Sequence, residues 1–141
     1  MTTEQNATTV RRAFEEAVNE RKLALFDELL APNYVNHSMP TPAPGPEGMK
    51  AVIGAFLTGF PDFQVVVEDV VASGDFVCTR GHFTGTHAGD FQGIPATGRA
   101  VNVNYMDMWR LEAGRGVENW VQLDTLGLMQ QLGVIPEPQH A

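Results

Sequence analysis

The spacing of hydrophobic residues changes once along this chain, at Pro61-Asp62, and that change sets the fold class. Before it, apolar side chains recur every three or four residues, which places them on one face of a helix. After it they alternate with polar ones, the period of a strand that buries one side. Helices first and an antiparallel meander afterwards predict an α+β fold, with N-terminal helices packed on a curved, mostly antiparallel sheet. Such a sheet, covered on one face, leaves a cone with an internal pocket, a usual place for a small molecule.

The helical half divides into three. Ala7, Val10, Phe14, Ala17 and Val18 predict a first helix over about Glu4 to Asn19, with Thr2 and Gln5 spaced for a capping box. Leu23, Phe26, Leu29 and Leu30 predict a second, short helix that Pro32 stops. Tyr34-Val35-Asn36-His37 reads as a short extended piece, followed by a rigid loop containing Pro40, Pro42, Pro44 and Pro46. Met49, Val52, Ile53, Phe56, Leu57 and Phe60 make the stripe of a third helix, with Pro46 in its first turn and Gly59 and Pro61 at its end.

The strand half predicts Phe63 to Ala72, a turn at Ser73-Gly74-Asp75, and a second strand from Phe76 to Thr86. On that strand Phe76, Cys78, Arg80, His82 and Thr84 share a face. Residues 87–98 form a loop rich in glycine and proline, the makings of a rim or lid. Arg99 to Leu111 is a long strand with Val101, Val103, Tyr105, Asp107 and Trp109 on one side. A last strand, Gly116 to Asp124, runs into a closing helix that ends near Gly133. Asn119, Val121 and Leu123 share one face of it and Glu118, Trp120, Gln122 and Asp124 the other. Neither face is purely apolar, so protein or a cavity is expected on both sides. Residues 136–141 read as a loose tail.

At 141 residues the chain suits one domain, 1–141, and 43% hydrophobic residues are enough for a core. A net charge of -8 argues against nucleic acid or an anionic membrane as partner, since both select clustered Lys and Arg. The lone Cys78 allows no disulfide within the chain, which fits a cytoplasmic location. The start, Met1-Thr2-Thr3-Glu4-Gln5-Asn6, has no apolar signal core, and no apolar run is long enough to span a bilayer. The four histidines and single cysteine show no metal-binding spacing, and no phosphate-binding loop, dinucleotide fingerprint or nucleophile elbow is present.

Several motifs occur together in order. They are Tyr34-Val35-Asn36-His37 before a proline loop, Phe60-Pro61-Asp62, Gly85-Thr86-His87, Gly89, Phe91, Gly93, Pro95 and Thr97-Gly98-Arg99. Asp107 and Arg110 follow, then Gly114, Glu118, Trp120, Asp124 and Leu128-Met129-Gln130-Gln131-Leu132-Gly133. Over most of its length the chain resembles the SnoaL-like polyketide cyclases, or ester cyclases, of the nuclear-transport-factor-2-like superfamily.

The resemblance implies a cystatin-like cone and a cofactor-free intramolecular aldol closure of a polyketide ester. In the family pattern a carboxylate takes a proton from an activated carbon, and the enolate attacks a carbonyl. That base matches Val121 here. A His often stands where this chain has Asn119, and a supporting His matches Asp107. Asn36 matches a pocket Asn and is retained.

Each candidate residue carries a second reading. Asp107 is the first candidate for a base, flanked by Tyr105 and Trp109, or an ion-pair partner of Arg99 or Arg110. Asp124 is the second candidate carboxylate, or the cap of the closing helix. Asn36 and His37 contact substrate or fix the loop backbone. Asn119 and Val121 line a pocket or pack within the sheet. His82, beside Arg80, anchors a ligand or is structural, and His87 fixes its loop.

Three functions remain open from sequence. One is a cofactor-free cyclase, lyase or isomerase using Asp107, with Asn36 and Asn119 as polar partners. Another is a non-catalytic protein binding a small hydrophobic molecule, in which Val121 marks a lost base. A third, epoxide hydrolysis or steroid-like isomerisation, rests on shared fold alone. Apolar residues on both sheet faces, including Met106, Met108 and Trp120, predict a homodimer or higher homo-oligomer.

Overall fold

The computed structural model describes residues 2–136. Helix α1 (Thr3–Arg12) opens on the expected capping box. Gln5 N–H donates to Thr2 Oγ1 over 3.0 Å, and Thr2 N–H donates to Gln5 Oε1 over 2.8 Å. Both donors belong to a helix start and have no partner within the helix. The helix continues directly into a π-helical stretch, Ala13–Val18. A π turn is wider than an α turn and recurs beside functional sites. Here it sets Ala17 and Val18 in the core and leans Phe14 on it.

A 3₁₀ turn, Leu23–Leu25, leads into the four-residue α2 (Phe26–Leu29). Leu30 does not belong to this helix, as its spacing suggested. It begins strand β1 (Leu30–Asn36) and pairs with Gly116. Pro32 therefore lies inside a strand rather than ending a helix, which β1 tolerates because it is an edge strand.

Helix α3 (Pro46–Gly59) has Pro46 in its first turn. Gly45 precedes it with φ of 72°, and a Cβ there would stand 2.4 Å from the Pro32 carbonyl oxygen. Glycine is what lets the proline loop fold back against β1.

Strands β2 (Gln64–Ser73), β3 (Phe76–Thr86), β4 (Ala100–Glu112) and β5 (Arg115–Leu123) form an antiparallel meander, closed by α4 (Thr125–Gln131). The sheet order is β1-β5-β4-β3-β2, and β1 joins β5 in parallel. The architecture is α+β, with four helices and a five-stranded, mostly antiparallel curved sheet.

Helices cover the face that carries Val77, Phe83, Val103, Tyr105 and Trp109. Phe56, Phe60, Phe63, Phe83 and Phe91 pack α3 onto this face with ring centroids 5.0–6.3 Å apart. At the far edge the Asn19 side chain acts as a strand of one residue. Its Nδ2 donates to Val65 O and its Oδ1 accepts from Val65 N, each at 2.8 Å. This pairing ties the helical layer to an otherwise open strand edge.

His87 is wholly buried and holds the 87–99 loop, as expected. Its Nδ1 accepts from Thr97 N at 3.2 Å, and its backbone bonds Arg99 and Gly98. No described helix is long and apolar enough to cross a membrane. His140 and all but the first residue of the expected tail lie outside the described residues.

Candidate functional site

The sheet register sets two adjoining rows of side chains facing the helices. One runs Thr79, Asp107, Val121 across β3, β4 and β5. The other runs Val77, Trp109, Asn119, Asn36 across β3, β4, β5 and β1. The β4 alternation seen in sequence therefore points Tyr105, Asp107 and Trp109 inward, and the β5 alternation adds Asn119, Val121 and Leu123.

These side chains enclose an inner chamber of about 80 Å³, roofed by Phe14, Met49 and Ile53. The chamber is almost wholly apolar, and its polar side chains include the Asp107 carboxyl and the amides of Asn36 and Asn119. It adjoins a cleft of about 820 Å³, lined among others by His37, Trp120, Gln122, Phe91 and Met129.

Asp107 is 7% exposed and carries no ion pair among the described residues, contrary to the bond with Arg99 or Arg110 weighed from sequence. Arg110 instead pairs with Glu118 and Glu112 on the opposite face of the sheet. Asp107 Oδ1 accepts from Thr79 N at 3.1 Å and from Thr79 Oγ1 at 2.5 Å, while Oδ2 accepts from Trp109 Nε1 at 2.8 Å. Burial pushes its carboxyl up to about 6, although these donors oppose the shift by favouring the charged form. A carboxylate offers about four lone-pair sites, and one on Oδ2 remains after these three bonds.

Two tyrosines support these polar groups, Tyr105 from the lining and Tyr34 from behind it. Tyr105 OH lies 3.1 Å from Thr79 Oγ1. The Thr79 hydroxyl has one proton, and the shorter bond commits it to Asp107, so Tyr105 is the donor in this pair. Burial pushes the Tyr105 phenol up to about 12. Tyr34 OH donates to Asn119 Oδ1 at 2.6 Å, and burial raises its phenol as well. Both stay neutral donors at ordinary pH.

The two asparagines are oriented by these bonds. Asn36 Oδ1 accepts from the backbone N–H of Ser38 and Met39, at 2.9 and 3.0 Å, so it fixes the loop as one reading required. Its Nδ2 is then the end left at the chamber, beside the Tyr34 hydroxyl. Asn119 is held by Tyr34 in the same way. Among the described residues the Asn119 Nδ2 donates to no other group, so its N–H is available to a carbonyl or enolate oxygen, whereas the Asn36 side chain also lies within hydrogen-bonding reach of the Tyr34 hydroxyl.

Not every expected residue joins this group. Asp124 is exposed and caps α4, its Oδ1 accepting from Gly127 N at 2.9 Å. A carboxylate in that place satisfies a helix start and does not reach the chamber. His82 faces away from the chamber and binds Glu68 across 2.7 Å. The inward phase of β3 belongs to Val77, Thr79 and Phe83, so the Arg80 and His82 face is the outer one. His37 stands at the cleft mouth, stacked on Trp120 at 4.9 Å, with Nε2 3.0 Å from Glu118 Oε1.

Sequence reasoning missed Thr79 and Tyr34. Tyr34 shares the strand phase of Asn36 and was open to the same alternation argument. Thr79 becomes visible only once the β3–β4 register sets it opposite Asp107. Among the described residues no three His, Cys, Asp or Glu side chains cluster as a metal site needs.

Comparison with known proteins gives a consistent outcome. Residues 8–132 match the model of the SnoaL-like polyketide cyclase family. No match was found among curated proteins. Among solved structures, IdmH from Streptomyces antibioticus, a proposed polyketide cyclase, is 35% identical. That likeness covers 92% of this chain and 99% of IdmH, with a TM-score of 0.79. TsrD from Streptomyces laurentii is 30% identical over 96% of this chain and 99% of its own, with a TM-score of 0.87. A proposed SnoaL-like polyketide cyclase from Jannaschia sp. CCS1 is 30% identical over 95% of each chain, with a TM-score of 0.84. With most of its length matched and the same fold in these relatives, this chain belongs to the SnoaL-like polyketide cyclase family.

Proposed function

We propose that this protein catalyses cofactor-free proton abstraction beside a carbonyl of a small hydrophobic substrate, as in an aldol-type cyclisation or an isomerisation. The observation that carries the reading is the buried Asp107 carboxyl, near-neutral in pKa, in an apolar chamber that the amides of Asn36 and Asn119 also line. Asp107 takes the proton from the activated carbon. The enolate oxygen receives N–H bonds from Asn36 and Asn119. In a cyclisation the enolate carbon then bonds to a second carbonyl carbon, and protonated Asp107 returns its proton to the alkoxide. Atoms and charge balance without a further reactant.

The test is deuterium exchange at C2 of ethyl 2-methylacetoacetate, followed by proton NMR in heavy water. The protein accelerates exchange over buffer, and Asp107→Asn lowers that acceleration by about 10²–10⁴-fold. Exchange unchanged in the variant ends the reading.

A second reading is a non-catalytic carrier of a small hydrophobic molecule. It is favoured by Val121, an apolar wall where the family resemblance puts the base, and by the three donors that already hold Asp107. Turnover by the unmodified protein would end it.

Two accompanying expectations belong to the same proposal. A homodimer is supported by apolar exposure on the outer sheet face, where Val71 is 66% and Met106 59% exposed. Sedimentation giving a monomer at micromolar concentration overturns it. A cytoplasmic location is supported by the single cysteine, and fractionation of the native cell tests it.

A further inference from the structure

Asn36 and Asn119 stand opposite one another in the parallel pairing of β1 with β5, and that pairing is thin. Its register is broken between Leu30 and Val35, which leaves Val35 opposite Glu118 and Asn36 opposite Asn119 at the far end. Past Asn36 one backbone bond continues it, from His37 N–H to Asn119 O at 2.9 Å. An edge strand held so lightly, with a proline loop beyond it, opens more readily than the core strands. Any shift there moves the Asn36 amide within the chamber.

The outer face of the same residues is clamped. Side chains alternate along a strand, so His37 projects outward where Asn36 projects inward. Its ring lies on Trp120, with centroids 4.9 Å apart and planes 17° apart, and its Nε2 meets Glu118 Oε1 at 3.0 Å. Glu118 and Trp120 are the two sequence neighbours of Asn119. One imidazole, on the residue after Asn36, therefore grips both outward side chains that flank Asn119. Glu118 Oε2 in turn accepts from Arg110 Nε at 2.7 Å and Nη2 at 2.6 Å, and Arg110 Nη1 donates to Glu112 Oε1 at 2.6 Å. That fork comes from β4, the strand that carries Asp107 and Trp109. Arg110, helped by His37, holds the Glu118 carboxyl below its usual range. An ionised carboxylate only accepts, so His37 Nε2 carries a ring proton. On the inner face the two amides meet through Tyr34, whose hydroxyl donates to Asn119 Oδ1 and lies within reach of Asn36.

We propose that His37 and Glu118 are positioning residues, an outer clamp that sets the spacing of the Asn36 and Asn119 amides on the other side of the sheet. Neither touches the reacting atoms. An exposed ion pair adds little to overall stability, so what the clamp supplies is geometry. Its consequence for rate rests on the proton-abstraction reading, while the placement of the amides does not.

The test reads placement and rate separately. Backbone amide exchange at residue 37 and nitrogen-15 spectra of the Asn side chains report placement. The kcat and KM for deuterium exchange at C2 of ethyl 2-methylacetoacetate report rate. His37→Phe keeps the stack on Trp120 and loses the bond to Glu118. The residue 37 amide then exchanges faster and the Asn36 and Asn119 side-chain signals move. The kcat falls by about 10–10²-fold, the scale of a misplacement near ~1 Å. KM stays within about twofold, since the enolate forms only after binding. His37→Gln presents an amide N–H in place of Nε2 and restores placement and rate together. Glu118→Ala behaves like His37→Phe, and the double variant falls no further. Urea midpoints hardly move in any of them.

The proposal is overturned if residue 37 and both Asn signals stay as in wild type in His37→Phe, if Gln behaves like Phe, or if the single losses add. It is also overturned if kcat is unchanged where wild type is active, or if the urea midpoint falls in step with kcat, the mark of a pair that is structural only. A wild type without C2 exchange retires the proton-abstraction reading alone, and the amide signals then decide this one.

Discussion

Asp107 and Trp109 stand two residues apart on one face of β4, and the indole Nε1 donates to the carboxylate Oδ2 across 2.8 Å. The tryptophan that flanks the carboxylate thus also supplies a proton donor. It therefore acts on Asp107 in two opposite ways. Its bulk helps desolvate the carboxyl, which favours the neutral form, and its N–H favours the charged form.

Trp109→Phe keeps most of the ring and removes the donor. The Asp107 midpoint then rises above about 6, since the bond that stabilised the anion is gone. Carboxyl carbon shifts through a pH titration measure it. A midpoint that falls, or does not move, would show that the indole N–H does not stabilise the anion.

The raised Asp107 pKa also links stability to pH. The group binds its proton more tightly folded than unfolded, so between about pH 4 and pH 6 the folded state holds more protons. Stability from this group is therefore greatest below pH 4, falls as pH rises to about 6 and is flat above. The shift, from 3.8 to about 6, corresponds to about 3 kcal/mol. In urea unfolding across that window, Asp107→Asn loses this component of the slope, whatever its stability at any one pH.

Asn119→Leu leaves the buried Tyr34 hydroxyl without its acceptor. An unpaired buried polar group costs about 1–3 kcal/mol. Adding Tyr34→Phe removes the orphan and recovers part of the loss. Equal stability of the single and double variants in denaturant unfolding would show that the 2.6 Å bond carries no such weight.

Asp124→Ala removes a helix cap and costs about 1 kcal/mol. Because Asp124 is remote from the chamber lining, the deuterium-exchange rate and the Asp107 titration stay at wild-type values. Loss of exchange in this variant would return Asp124 to the reacting group.

Asn19→Ala cuts both bonds to the Val65 backbone and uncaps the β2 edge. Stability falls by about 1–3 kcal/mol. Amide exchange at Val65 quickens more than at Val103, which sits mid-sheet.

Much of this was legible because the periodicities are strong. The α3 stripe and the β4 alternation were sufficient to put Tyr105, Asp107 and Trp109 on one inward face. The β5 alternation did the same for Asn119 and Val121. Both readings of His82 stayed open because β3 carries polar or small residues in both phases. Only Val77 and Phe83 mark its inward side, and they count for less than a Phe-Cys-Arg-His-Thr run suggests. Leu30 was misjudged because helical spacing continued past the true helix end, and pairing with Gly116 decided otherwise. The Thr79 bonds to Asp107 needed cross-strand register, which no single segment encodes. The Asp124 cap was readable from its place before an apolar turn.

One consequence follows from the parallel pairing of β1 with β5. The meander β2 to β5 joins neighbours in sequence, but Tyr34 meets Asn119 across a separation of 85 residues. Closing so long a loop is entropically slow compared with forming hairpins. The chamber, whose walls come from both ends of the chain, thus has no counterpart in a partly assembled protein with β1 undocked. A molecule bound there acts as a clasp between the two ends, and its affinity is gained only by chains that have finished folding.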